Sequence, residues 1–195
     1  MIFESIFALY SIVFIGCFWS LLIWRLLIMR RSGIDVLKIS GFGFFSLLVL
    51  WSVLFILLSI EMLDFPPLKD FWIIYEFPLS MILLFFLGAV FQIIMWFGIF
   101  QMGKSWRIGI DDDDPGDLIT EGIFQISRNP IFFGLDGILI VVFFLHPNLF
   151  FLVFTISFII GIHIQILREE NHLLKIYGQE YKEYKKKTSR YFLFF

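Results

Sequence analysis

Charge is scarce in this chain. Only 16% of its 195 residues are charged, against 59% hydrophobic and 21% aromatic. A soluble domain of this length cannot hide that much apolar surface in one core, so a soluble globular fold is excluded and a membrane setting follows. Cysteine is scarcer still. The single Cys17 lies inside an apolar run, which rules out an intramolecular disulfide framework and reads as a small core or lipid-facing side chain. Histidine occurs at His146, His163 and His172 without ligand spacing, so no metal site is expected. A net charge of −2 lacks the basic excess that nucleic acid requires, and no nucleic-acid partner is expected. The amino terminus, MIFESIF, has no basic stretch ahead of its first apolar run, and that run is long enough to span by itself; it is expected to stay in the mature protein.

What the chain has in abundance is long apolar runs. They predict an all-α integral membrane protein of five transmembrane helices: Ser5–Met29, Ile39–Ile60, Leu79–Phe100, Ile131–Leu145 and Leu149–Leu167. Gly41, Gly43 and Ser46 are small residues that let neighbouring helices approach, while Pro66 and Pro67 break the chain before the third span. The last two spans form a helical hairpin around His146-Pro147-Asn148. The limb Ile131–Leu145 has 15 residues, and at about 1.5 Å each it is shorter than a core of about 30 Å, so its entrance is expected in or below the headgroups. From Leu173 the chain becomes amphipathic, with Tyr177, Tyr181 and Tyr184 on one face, Lys and Glu on the other, and Gly178 as a kink; it reads as a helix at the interface. Residues 1–102 thus form three transmembrane helices and residues 103–195 a candidate catalytic region. Four Lys or Arg lie around the loop after the first span, three between the third and fourth spans, seven after the fifth, and only Lys69 on the other side. The positive-inside rule then places the amino terminus outside and the carboxyl terminus in the cytosol.

Two polar islands flank the hairpin: TEGIFQISRNPIFFG at 120–134, and Arg168-Glu169-Glu170. Asn129-Pro130 is a helix start, since asparagine caps well and proline lacks only an N–H that would be unpaired there. Free N–H groups, the positive end of the dipole and Arg128 together suit a carboxylate or phosphate. Glu169 and Glu170 put two anions late in a helix, where a cation is wanted. An anion receptor facing an ammonium receptor would suit a zwitterionic amino-acid ligand. A plainer reading also fits: Arg128 contacts lipid phosphate, and the two glutamates are solvated and neutralised by Arg168. Asp136 is a candidate because an ionisable residue in a span is costly, although at its depth it can also reach the interface or Arg128. His163 and Gln92 read first as packing and interhelical bonding, and Asp111 to Asp114 as a solvated loop.

The segment Gly122-x-Phe124-x-x-x-Arg128-Asn129-Pro130-x-Phe132-x-Gly134 resembles the Gly-x-Tyr-x-x-x-Arg-His-Pro-x-Tyr-x-Gly signature of the isoprenylcysteine carboxyl methyltransferases and the related phospholipid methyltransferases. Glu169-Glu170, Leu173, Tyr177-Gly178, Tyr181 and Tyr184 are similar to that family's tail. The resemblance covers residues 103–190. It implies S-adenosylmethionine as methyl donor and S-adenosylhomocysteine as product. It also implies that Leu118, Ile119 and Phe124 line the cofactor pocket, that Arg128, Asn129, Pro130, Ile131 and Phe132 form its wall, and that Glu169, with Glu170 beside it, contacts the cofactor. Asn129 replaces the usual histidine, and Phe124 and Phe132 replace tyrosines, so any role needing imidazole or phenol is lost at those positions.

Methyl transfer from a sulfonium is an in-line displacement for which the protein supplies orientation and a dry pocket. A carboxylate acceptor needs no base, whereas an amine must first lose a proton. The islands offer no obvious neutral base beyond the carboxylates and His163, which favours a carboxylate acceptor held by Arg128 or Arg168. The expected activity is methylation of a prenylcysteine-like or other lipophilic carboxylate, with membrane lipids around it. The competing expectations are N-methylation of a phospholipid amine and a non-catalytic scaffold or transport subunit.

Overall fold

The computed structural model describes residues 2–34, 36, 45–46, 48–50, 52–53, 81–108, 116–145 and 149–192. Every regular element among them is helical. The chain divides into two compact units, the first holding Met1–Trp72 and Arg107–Asp113, the second Ile73–Trp106 and Asp114–Phe195.

In the first unit, α1 runs Ile2–Arg31 with Arg30 and Arg31 in its last turn, where cations complement the negative end of the dipole. Its 30 residues reach about 45 Å, more than a bilayer core needs. Gly33 ends it: with φ at 77° its N–H bonds Arg30 O while Ile34 N–H bonds Met29 O, the paired closure that a left-handed residue permits. Ile15, Phe18, Leu22 and Met29 are buried, while Ile23, Trp24 and Leu27 are exposed; Cys17 is an exposed free thiol. Residues 45–46, 48–50 and 52–53 are helical, and Phe45 meets Trp19 edge-on at 5.9 Å. The remainder of the expected second span, the loop after it and the Asp111 to Asp114 run lie outside the described residues.

The second unit is built on α2 (Met81–Met102), α3 (Pro130–Leu145) and α4 (Leu149–Lys187). Helices α2 and α3 run antiparallel in close contact. A Cβ at Gly98 would lie 2.8 Å from Ile131 Cγ1, and one at Gly134 would lie 2.7 Å from both Met95 Cβ and the Phe91 carbonyl. Gly134 therefore sets the distance between the helices, and Phe91 and Phe133 fit edge-on at 5.7 Å beside it. Helix α3 has 16 residues, about 24 Å, and buries Leu135, Ile138, Leu139, Val141 and Val142.

Three helices among the described residues, α1, α2 and α4, are long and apolar enough to cross a membrane, and α3 is a shorter apolar helix. The outward faces of α2 (Ile82, Phe86, Ile93, Phe97) and of α4 (Val153, Ile156, Ile160, Ile164, Leu167) are continuous apolar stripes at helical spacing, as lipid-facing surfaces require. The apolar stretch of α4 ends at Leu167 as expected, but the helix does not. Nothing from Arg168 to Tyr177 disfavours helix, so the polarity changes while the backbone continues. The break comes at Gly178, with φ 52° and ψ −114°, the kink anticipated there.

Candidate active site

The polar site lies where the 116–130 segment, α4 beyond Leu167 and the C-terminal residues 188–192 converge. The segment is held by α2 through Gln101, whose Nε2 donates to Glu121 O at 3.1 Å and whose Oε1 accepts from Ile123 N–H at 2.9 Å. A 3-10 turn, Gly122–Gln125, then buries Phe124. Phe124, Tyr181 and Tyr184 form an apolar cluster joined by Leu118, Ile119, Ile123, Ile131, Leu173, Leu174 and Tyr177. Tyr184 Oη donates to Phe124 O at 2.6 Å and Tyr177 Oη to Gly116 O at 2.8 Å. The tyrosine face expected at the membrane interface thus packs on the protein's own loop, because its rings find apolar neighbours there and the hydroxyls of Tyr177 and Tyr184 reach loop carbonyls. The kink at Gly178 separates Tyr177 from Tyr181 on this surface.

Ser127 to Pro130 lead into α3. Ser127 Oγ accepts from Asn129 N–H at 3.1 Å, and Asn129 O accepts the first helical bond from Phe133 at 3.0 Å. Asn129 thus holds the N-cap backbone position, but its side-chain amide donates elsewhere, to Glu170 Oε1 at 3.4 Å and Arg190 O at 3.3 Å.

Arg128 and Glu170, 42 residues apart, meet with Nη2 to Oε1 at 2.9 Å and Nε to Oε1 at 3.2 Å. Their side chains are only 6% and 5% exposed. Arg128 Nη1 also donates to Lys185 O at 3.1 Å and to Thr188 O at 2.5 Å. On the other side of the carboxylate, Arg190 donates from Nε to Oε1 at 3.1 Å and from Nη2 to Oε2 at 2.9 Å. Burial would raise the Glu170 pKa, but hydrogen bonds and attraction from Arg190 and Arg128 outweigh it and hold the carboxyl below its ordinary value. The bond to Glu170 in turn raises Arg190.

Glu169 differs. Gln165 Nε2 donates to its Oε1 at 3.0 Å, and no further partner is present among the described residues. Burial pushes its carboxyl up to about 7, with the Gln165 bond acting in the opposite direction. Tyr181 and Tyr184 are also pushed up, by burial first.

The structure therefore gathers Leu118, Ile119, Phe124, Arg128, Asn129, Pro130, Ile131 and Glu170 into one region, with half-buried Phe132 on the first turn of α3 and Glu169 beside Glu170. Arg168 is exposed on α4. Arg128 does not pair with Asp136; its donors go to Glu170 and to tail carbonyls. Among the described residues, Asp136 Oδ1 and Gln92 Nε2 are buried without hydrogen-bond partners. His163 Nδ1 lies 2.9 Å from Tyr191 Oη. Arg190, Ser127, Thr188 and Ser189 were not legible as site residues, because short polar side chains around a lone arginine give no pattern when their partners are some sixty positions away. Among the described residues no group of three or more His, Cys, Asp or Glu is placed to hold a metal.

A sequence model of the phospholipid methyltransferase family matches residues 79–180. Two curated relatives, each named probable protein-S-isoprenylcysteine O-methyltransferase and coming from Oryza sativa subsp. indica and subsp. japonica, are 30% identical over 134 residues. Each match covers 66% of this chain and 65% of the relative, just under two thirds of the relatives' own length. No solved structure matches the chain.

Proposed function

The chain belongs to the phospholipid methyltransferase family, and from that premise we propose that it moves a methyl group from S-adenosylmethionine to the carboxylate of a prenylcysteine-like or other lipophilic acceptor. The observation that carries the reading is the meeting of the two polar islands. Arg128-Asn129-Pro130 and Glu169-Glu170 are drawn to one end of the α3–α4 hairpin, locked by the 2.9 Å Arg128–Glu170 pair. S-adenosylmethionine supplies an activated methyl on a sulfonium together with an amino-acid moiety and an adenosine. The residues present fit such a group: the Glu169 carboxylate, bonded by Gln165 on one oxygen, suits an ammonium, the positive end of the α3 dipole suits a carboxylate, and Leu118, Ile119 and Phe124 offer apolar walls.

In this reading Glu169 binds, Asn129 and Pro130 orient the helix start, and the tyrosines of α4 exclude water from the reacting centre. Glu170 shapes the wall without being free to bind. Exposed Arg168, at the end of the apolar stretch, is the cation best placed for an acceptor carboxylate, since Arg128 is already engaged. An ionised carboxylate attacks without losing a proton, so no base is required. We place the catalytic region in residues 103–195, the acceptor's approach within the membrane among lipids, and the site and carboxyl terminus in the cytosol with the amino terminus outside, on the distribution of Lys and Arg.

One observation favours a second reading, N-methylation of a phospholipid amine. Asp136 carries a buried oxygen without a partner among the described residues, and an anion at that depth attracts an ammonium and can take its proton. Purified protein given methyl-labelled S-adenosylmethionine and either a prenylcysteine or phosphatidylethanolamine separates the two. A methyl ester releases labelled methanol in base, whereas an N-methyl product keeps its label. No product with either acceptor, from folded protein that binds the cofactor, contradicts both readings.

A further inference from the structure

The C-terminal strap, residues 188–192, lies beyond the stretch that the family model matches. It is nevertheless stitched to the island at 125–129 along its length. Ser189 O accepts from Arg128 N–H at 2.9 Å, Arg190 O accepts from Ser127 Oγ at 3.1 Å, Thr188 Oγ1 donates to Gln125 O at 3.3 Å, and Ser189 Oγ donates to Ile126 O at 3.1 Å. Phe192 closes the strap against Phe133, ring centroids 4.7 Å apart.

We propose that Arg190 is a positioning residue of the methyl-transfer site: its hold on both oxygens of Glu170 fixes Arg128 and Asn129 and so sets the geometry of the first turn of α3. The functional consequence rests on the cofactor reading above. Glu170 Oε1 accepts from Arg128, Asn129 and Arg190, but among the described residues Oε2 has only Arg190 at 2.9 Å and Lys185 at 3.8 Å. Without Arg190 the carboxylate loses its one close contact on that oxygen and is free to rotate. Arg128 and the Asn129 amide, bonded to the other oxygen, move with it. The guanidinium is suited to the task because its planar fork reaches two oxygens at once, which an ammonium cannot do. The strap thus supplies the second, half-buried cation of an Arg–Glu–Arg arrangement around a buried carboxylate, and the island is complete only when the strap is down.

The test compares full-length wild type, Arg190→Gln, Arg190→Lys and, for loss of an exposed charge alone, Lys186→Gln. S-adenosylhomocysteine is titrated into each, kinetic constants are measured for donor and acceptor, and hydrogen exchange is followed at residues 126–129. Arg190→Gln is expected to lower kcat/KM for the donor about tenfold to a hundredfold, as displacements near an ångström do. It should also weaken S-adenosylhomocysteine binding, speed exchange at 126–129 and leave the acceptor KM unchanged. Arg190→Lys should recover part of each loss, and Lys186→Gln should match wild type. Wild-type affinity and exchange in Arg190→Gln overturn the proposal, as does a lower melting temperature with unchanged affinity in the folded protein. If Arg190→Gln does not fold, Arg190→Lys decides, and wild-type values there refute a two-point hold. If wild type itself binds no S-adenosylhomocysteine, the cofactor reading falls, and exchange at 126–129 alone decides the role of Arg190.

Discussion

Glu169 and Glu170 are neighbours in sequence held by different partners, one by an amide and the other between two guanidiniums, and their titrations should differ accordingly. Because the folded pKa of Glu170 lies below its ordinary 4.5, the stability it contributes is fully present above that pH and is lost as pH falls through the lower folded value. Thermal melts should therefore show no Glu170-dependent loss between pH 8 and 5, with the wild-type advantage over Glu170→Gln shrinking only below about 4.5. A gap that closes near neutrality would mean that the arginines do not hold the carboxylate charged. Glu169, pushed up to about 7, should instead make cofactor affinity weaken as pH drops through neutrality, since a protonated carboxyl cannot attract an ammonium. That dependence should vanish in Glu169→Gln. The chemistry of Arg128, Asn129 and the glutamate pair was legible in the sequence because each residue type carries its own preference. The choice of partner was not: the sequence points to the adjacent Arg168 to neutralise the glutamates, and only the path of the strap brings Arg190 to Glu170.

At the scale of the helices, close approach and a single break carry the architecture. Gly134→Leu should cost about 1–3 kcal/mol by overpacking α2 against α3, because even a Cβ there lies 2.7 Å from Met95 and from the Phe91 carbonyl; a melt in detergent reads the loss. Gly178→Ala should cost at least about 1 kcal/mol, since an L side chain resists a backbone at φ 52°. Because Tyr181 and Tyr184 follow the break, it should also loosen the tail and weaken cofactor binding, and unchanged affinity would show that the kink does not seat them. Hydropathy located α1, α2 and the hairpin, with ends within a few residues, since apolar runs bounded by charge or proline leave few alternatives. It puts the end of α4 at Leu167, too early, because a change of polarity does not require a change of backbone. It assigned the tyrosine stripe to the membrane interface because an amphipathic face does not say whether lipid or protein will cover it.

Over the whole molecule, apolar stripes on α2 and α4 face outward while Arg128, Glu170 and Arg190 meet beyond the apolar stretch of α4. On the proposed reading, that division would let an apolar acceptor and a water-soluble donor reach one place by different routes. Its most direct test is calorimetric titration of S-adenosylhomocysteine into detergent-purified protein, wild type beside Glu169→Ala, since the ligand is stable and no acceptor need be known. Saturable micromolar binding by wild type, lost in the variant while the fold persists, is the expected result. Absence of binding to folded, monodisperse wild type would contradict a cofactor site on this end of the hairpin.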